Sequence, residues 1–241
     1  MIDNHIHIGQ FKEIYNDPIE VIQIVMEYCR DGLCFSSLIA CDENIAYTKA
    51  EKEIENVLAH INWQPEIVRP FFWYNPCYAK QGVMFKKVMQ ELPYKGVKLH
   101  PLANHFDLND PKITSILHTI FSYAGEYNLP VLIHTGHSGV DSADIFSHFF
   151  PLYPTTRFIL AHCRPLANTI NLMRNFPNVY GDTAFLPEDH LQEIIKEGLA
   201  GKMILGSDFP VTNYYNNEKV DLKKQYNSDY EQLKHYAAML P

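Results

Sequence analysis

Two histidines one residue apart, in Ile2-Asp3-Asn4-His5-Ile6-His7, are the first residues in this chain whose type and spacing suggest chemistry. Side chains along a strand alternate between faces, so His5 and His7 point the same way if the segment is extended. The same geometry pairs Lys98 with His100 at the end of a second apolar run. It also leaves His134, His162, Asp182 and Asp208 at or near the ends of four more. Any one of these is unremarkable, because a buried strand often ends on a polar residue where it meets water. Together they form an ordered series, and in a barrel that series would converge on one face. Imidazoles joined by a carboxylate suit Zn²⁺ or a similar divalent cation. Such a cation lowers the pKa of a bound water to about 7, so that the water can attack a carbonyl. Asp208 could take the water's proton and pass it to the leaving group, while His162 steadies an oxyanion or holds the water in line. Gathering this many ionisable groups at one place would be costly without a cation.

The elements that would position these residues follow a repeating pattern of short apolar run, polar end and amphipathic segment. The runs lie near 1–8, 33–40, 67–74, 96–100, 130–135, 157–163, 178–182 and 203–208. Helical periodicity falls over 18–30, 43–61, 79–91, 112–127, 165–175, 187–198 and 218–239, with a weaker segment at 141–149. Pro18, Pro111, Pro165 and Pro187 stand where first helical turns would begin. Strands alternating with helices predict an α/β protein, a distorted (β/α)8 TIM barrel forming a single domain over residues 1–241. An open doubly wound sheet would carry a Gly-rich loop after its first strand, and Gly9-Gln10-Phe11-Lys12 is not one.

Composition fits this picture. A barrel of about 250 residues would use nearly all of the 241 present. The net charge of −8 argues against nucleic acid and anionic membranes as partners and leaves a small-molecule substrate. Cys29, Cys34, Cys41, Cys77 and Cys163 form no C-x-x-C pair and are odd in number, so a reducing, cytoplasmic setting is expected. MIDNHIHIGQ lacks a basic region followed by an apolar run, so no signal peptide is expected, and no apolar stretch is long enough for a membrane span.

The ordered segments Ile2-Asp3-Asn4-His5-Ile6-His7, Gly96-Val97-Lys98-Leu99-His100-Pro101, Val131-Leu132-Ile133-His134, Leu160-Ala161-His162 and Ile204-Leu205-Gly206-Ser207-Asp208-Phe209-Pro210 resemble the amidohydrolase superfamily. Within it they resemble the amidohydrolase-2 family of metal-dependent hydrolases. The resemblance implies the distorted barrel, with His5, His7, His134 and Asp208 as metal ligands and His162 as a catalytic histidine beside Asp208. It favours one divalent ion per chain, Zn²⁺ first. Two ions are the alternative, with a carboxylated Lys98 and His162 as extra ligands. TatD-like deoxyribonucleases share the first motif but carry a glutamate where this chain has Gly96-Val97-Lys98-Leu99-His100. That departure and the acidic charge count against a nuclease.

Lys98 could clamp a substrate carboxylate, and His100 is expected to line the pocket as a second substrate-binding residue. Asp182 could hydrogen-bond a ligand histidine. Trp73, Phe185, Arg164, His105 and His137 are either pocket walls or ordinary core and surface residues. The expected activity is hydrolysis of an amide, cyclic amide, ester or lactone of a small molecule through a metal-activated water. The alternative is a metal-dependent non-oxidative decarboxylase of a small aromatic or unsaturated acid. A barrel that keeps a metal only for structure is the third reading, and the completeness of the residue set argues against it. The last helical segment ends with little chain to spare, so a homo-oligomer in which a partner subunit covers an exposed surface is an expectation.

Overall fold

Short β-branched and aromatic runs pair in chain order and close on themselves. The computed structural model describes residues 1–11, 14–42, 44–211 and 221–241. The described strands are β1 (Ile2–Phe11), β2 (Ile14–Asn16), β3 (Gly32–Ser37), β4 (Val68–Trp73), β5 (Gly96–Leu99), β6 (Pro130–His134), β7 (Arg157–Ala161), β8 (Val179–Asp182) and β9 (Met203–Ile204). Their order in the sheet is β2-β1-β3-β4-β5-β6-β7-β8-β9, and every pair except β1–β2 is parallel. Beyond Ile204 the chain runs back along β1. Asn4 N donates to Leu205 O (3.0 Å), Asp208 N to His5 O (2.7 Å) and His7 N to Phe209 O (2.7 Å), and Ile6 bridges Phe209 in parallel. These contacts turn the sheet into a barrel of eight parallel strands, with β2 as an antiparallel addition at its mouth.

The helices are α1 (Pro18–Tyr28), α2 (Tyr47–His60), α3 (Cys77–Lys80), α4 (Phe85–Glu91), α5 (Pro111–Glu126), α6 (Leu166–Asn175), α7 (Glu188–Lys196) and α8 (Leu222–Met239). Pro18 and Pro111 open α1 and α5, behind the caps Asp17 and Asp110, whose carboxylates accept from Ile19 N and Lys112 N at 2.8 Å each. Pro165 and Pro187 stand one residue earlier, at the caps of α6 and α7.

Several boundaries differ from expectation. The segment 79–91 splits into α3 and α4, with Gly82 between them in the left-handed region (φ 76°). The 141–149 segment forms only a 3₁₀ turn, Ala143–Phe146. The run 33–40 leaves the sheet at Ser37 for a 3₁₀ turn over Leu38–Cys41. β2 was not anticipated, since three residues are too few to show periodicity. The first residue of the expected 43–61 helix and the first three of the 218–239 helix lie outside the described residues.

The apolar residues sort into separate clusters, as alternation on a barrel requires. Ile6, Ile8, Val97, Leu99, Val131, Ile133, Phe158 and Leu160 belong to the large cluster that joins barrel to helices. Cys34, Phe71, Leu132, Ile159 and Ala161 form a second cluster, with Tyr180 and Ile204 against it, and this fills the barrel interior. A third, of Leu38, Ala40 and Trp73, with Phe11, Ile14, Cys41 and Val211 packed on it, lies at the mouth. Leu117, on the inner face of α5, is completely buried. Leu117→Ala is therefore expected to destabilise the fold by about 2–5 kcal/mol, read as a lower midpoint in denaturant. A loss below half a kcal/mol would contradict this packing.

Candidate metal centre

The inward-facing positions change character as each strand reaches the mouth. Leu132 is followed two residues on by His134, Phe71 by Trp73, Tyr180 by Asp182 and Lys98 by His100. His5 and His7 face inward from β1 between Ile6 and Ile8, which face the helices. The polar layer thus sits on an apolar floor, out of bulk water.

His5 Nε2 and His7 Nε2 stand 3.2 Å apart, and Asp208 Oδ1 is 3.2 Å from the first and 2.9 Å from the second. All three residues are buried, and among the described residues they form the one cluster with metal-ligand spacing. Asp208 Oδ1 is buried with no hydrogen-bond partner, although two imidazole nitrogens face it. Its backbone is left-handed (φ 62°).

The neighbours of the ring nitrogens determine the tautomers. His5 Nδ1 lies 2.7 Å from Asp182 Oδ2, so Nδ1 carries the proton and Nε2 presents a lone pair inward. Ser36 Oγ is 2.9 Å from His7 Nδ1 and can accept from it, which leaves His7 Nε2 for the same purpose. Asp182 Oδ1 also accepts from His162 N (2.8 Å) and Ala184 N (3.2 Å), so one carboxylate orients parts of two strands. Two lone pairs and an unpartnered carboxylate oxygen thus converge on one point. That donor set fits a divalent cation with imidazole and carboxylate ligands.

The other expected residues gather around this group. Lys98 Nζ is 2.9 Å from His5 Nε2, fully enclosed, and donates to the lone pair that a cation would take in its place. His162 Nε2 is 3.8 Å from Asp208 Oδ2, and its Nδ1 donates to Ala184 O at 3.0 Å. His162 Nε2 is therefore an acceptor, and it receives His134 Nδ1–H at 3.1 Å. His134 itself stands outside the three-residue cluster, with Nε2 free of a proton and 3.7 Å from Asp141 Oδ2. His100 stacks on His134 (3.7 Å between centroids) and on Trp73 (5.6 Å). Phe185 covers His162 at 5.9 Å, and Arg164 donates to Phe185 O. His105 and His137 are exposed.

Ser36 and Asp141 carry no mark of their role in the sequence. Ser36 stands two residues beyond Cys34 on the inward face of β3, but a serine there carries no signal of its own. Asp141 lies in a loop, where an acidic residue is ordinary.

A cavity of about 70 Å³ opens beside the cluster, lined by His7, Trp73, Lys98, His100, His134 and Asp208, with Leu38, Phe11 and Val211 on its apolar side. It shares Phe11, Leu38, Cys41 and Ala103 with an outer cavity of about 370 Å³ that reaches Lys49 and Asn44.

Burial holds the imidazoles neutral. It lowers His5, His100 and His134 well below the ordinary value, with Lys98 adding to the effect at all three, and it brings His162 down to about 4. His7 is lowered for the same reason, against the pull of Asp208. Burial alone would raise Asp208, but His5, His7 and His162, once they take up protons on acidification, hold it well below the carboxylate range. Unfolded histidines take up protons below about 6.5, which these folded ones resist. The stability they contribute is present above that pH and lost as the pH falls towards 4. Asp3 and Asp182, pushed up to about 6 by burial, act in the opposite sense, losing their contribution as the pH rises from 3.8 through 6. Asp229, raised by burial to about 7, and Glu51 and Glu53, raised by burial, act in the same sense as Asp3 and Asp182, but the five histidines, three of them held well below the ordinary value, outweigh these carboxylates over this range. The denaturant midpoint of metal-free protein is therefore expected to fall steadily from pH 6.5 to 4, and a midpoint that rises on acidification would contradict the assignment.

Comparison with known proteins adds to the geometry. The model of the amidohydrolase family matches residues 42–229, a span that holds Lys98, His134, His162 and Asp208 and begins after His5 and His7. No curated protein matches the sequence. Among solved structures, a protein described as a probable 2-pyrone-4,6-dicarboxylic acid hydrolase from Acinetobacter baumannii, with citric acid bound, superposes with a TM-score of 0.66 at 13% identity, over 99% of this chain and 95% of that one. An uncharacterised TIM-barrel protein from Bordetella bronchiseptica gives 0.56 at 13% identity, over 98% and 99%. A 4-oxalomesaconate hydratase from Rhodopseudomonas palustris gives 0.54 at 12% identity, over 99% and 96%. At these identities the likeness shows a shared fold.

Proposed function

The chain belongs to the amidohydrolase family, and from that premise we propose that it is a metal-dependent hydrolase of an amide, cyclic amide, ester or lactone in a small molecule. The observation that carries this reading is the convergence of His5 Nε2, His7 Nε2 and Asp208 Oδ1 within 3.2 Å, with that oxygen otherwise unpartnered. Zn²⁺ is the cation we assign first, one per chain. His5, His7 and Asp208 would hold it, and His134, which stands outside that cluster, is the expected fourth ligand. When bound, the ion supplies Lewis acidity, lowering the pKa of water and polarising a carbonyl.

The remaining steps belong to side chains. Asp208 Oδ2 accepts a proton from the attacking water and returns it to the leaving group. His162 Nε2, 3.8 Å from that oxygen, orients the water's second hydrogen once its lone pair is released from His134 Nδ1–H. Because His162 is neutral here, it steadies an oxyanion only after taking up a proton. Lys98 faces the cavity with a positive charge and would hold a substrate carboxylate, while Trp73 and Leu38 exclude water from the opposite side. Two neighbours of this fold are named for a dicarboxylic acid hydrolase and an oxalomesaconate hydratase, which supports a small polyacid as substrate. Five free cysteines fit a reducing, cytoplasmic setting. Among the described residues no helix is long and apolar enough to cross a membrane.

Lys98 beside the apolar wall equally suits a planar carboxylated ring, so decarboxylation is the second reading. A panel of lactones, amides and aromatic or unsaturated acids, with CO₂ release monitored, separates the two. Hydrolysis without CO₂ supports the proposal, and CO₂ release without hydrolysis replaces it.

A further inference from the structure

Asp3 is fully buried, yet it is not among the residues lining the cavities beside the metal cluster. Simple alternation would turn it inward with His5 and His7. Instead the register between β1 and β3 slips by one residue between Asp3 and Ile6. This bulge turns Asn4 towards the barrel interior, where Cys34 Sγ reaches its side chain, and sends Asp3 outward. There its carboxylate meets four donors. Oδ1 accepts from His5 N (3.2 Å) and Ser207 N (3.0 Å), and Oδ2 from Ser207 Oγ (2.6 Å) and Tyr226 OH (3.0 Å).

These partners flank Asp208. Ser207 precedes it, and Ser207 Oγ accepts from Phe209 N, which follows it, at 3.1 Å. Asp208 N is tied to His5 O, and Asp3 grips His5 as well. A left-handed backbone at a residue with a side chain is strained and persists only where its surroundings over-determine it. Asp3 supplies that constraint, and Tyr226 anchors it to α8.

Resting on the metal-centre reading above, we infer that Asp3 is a positioning residue that fixes Asp208 against His5 and His7 and so sets how tightly and in what geometry the site holds its cation. It acts through backbone and hydroxyl contacts and touches neither substrate nor metal.

The test uses Co²⁺ as a spectroscopic probe on the full chain, with affinity measured by chelator competition. Asp3→Asn keeps the shape and one acceptor oxygen but loses the charge. Tyr226→Phe removes one of the four donors to Asp3, together with the hydroxyl's contact to Cys29 Sγ (3.3 Å), and keeps the test available should Asp3→Asn fold poorly. Leu117→Ala serves as a destabilised control whose side chain lies in the barrel–helix core and not at the site. Wild-type chain should bind Co²⁺ with the absorption of a low-coordinate N/O site. Asp3→Asn should bind about tenfold more weakly, within the range seen for outer-shell partners, and with a shifted spectrum. Tyr226→Phe should shift both in the same direction, by less, and Leu117→Ala should match wild type. Unchanged affinity and spectrum in both the Asp3 and Tyr226 variants would overturn the inference while leaving the metal centre in place. So would an equal loss in Leu117→Ala, since the effect would then be one of stability alone. Failure of wild-type chain to bind Co²⁺ would remove the metal reading and this inference with it.

Discussion

Asp208→Asn is expected to lower kcat/KM by about 10³-fold or more while circular dichroism and the melting temperature of the metal-free protein stay near wild type. The two side chains have nearly the same shape, so packing at the end of the barrel survives. What changes is electrostatic. Asp208 Oδ1 faces two imidazole nitrogens at 2.9 and 3.2 Å, and Oδ2 faces His162 at 3.8 Å. An amide brings no negative charge to a cation and cannot take a proton from water at neutral pH. If its nitrogen takes the place of Oδ1, it sets N–H bonds against lone pairs instead. Both proposed roles of Asp208 are therefore lost together, which is why its effect should exceed that of any other single substitution. Turnover within tenfold of wild type would sink the assignment of Asp208 as the proton acceptor.

Removal of the metal should have an effect of similar size by an independent route. Protein purified without chelator should carry about one divalent ion per chain. Chelation at neutral pH should abolish turnover, and added Zn²⁺ or Mn²⁺ should restore it. The chain should also melt at a lower temperature when stripped, because an ion at about a thousand times its Kd contributes roughly 4 kcal/mol to the folded state. Affinity should weaken on acidification, since the imidazoles must lose their protons to bind. Two ions per chain would point to Lys98 and His162 as further ligands, with Lys98 modified, in place of the Lys98–His5 hydrogen bond seen here. No bound ion, together with no gain on adding one, would end the metal reading.

Much of this site is legible in the sequence. The i, i+2 rule places His5 with His7, and Lys98 with His100, on the inner face, and the clusters of outward Ile6, Ile8, Val97 and Leu99 agree with it. Pro18 and Pro111 mark the starts of α1 and α5. These signals are local. They follow from the two-residue period of a strand and from the missing N–H of proline, and both act within a few residues of chain.

Other features required partners distant in sequence. The eighth strand of the barrel is regular over only Met203–Ile204, and the barrel closes through an irregular segment whose pairing with β1 spans some two hundred residues. No periodicity announces that segment, because its backbone is set by the partner it meets. The same is true of the bulge that parts Asp3 from His5, of Ser36 behind His7, and of His134, which pairs with His162 in place of joining the cluster. The sequence by itself determined which residue types reach the mouth of the barrel and in what order. Their distances, tautomers and partners were decided by register and closure, because those depend on hydrogen bonds between strands far apart in the chain.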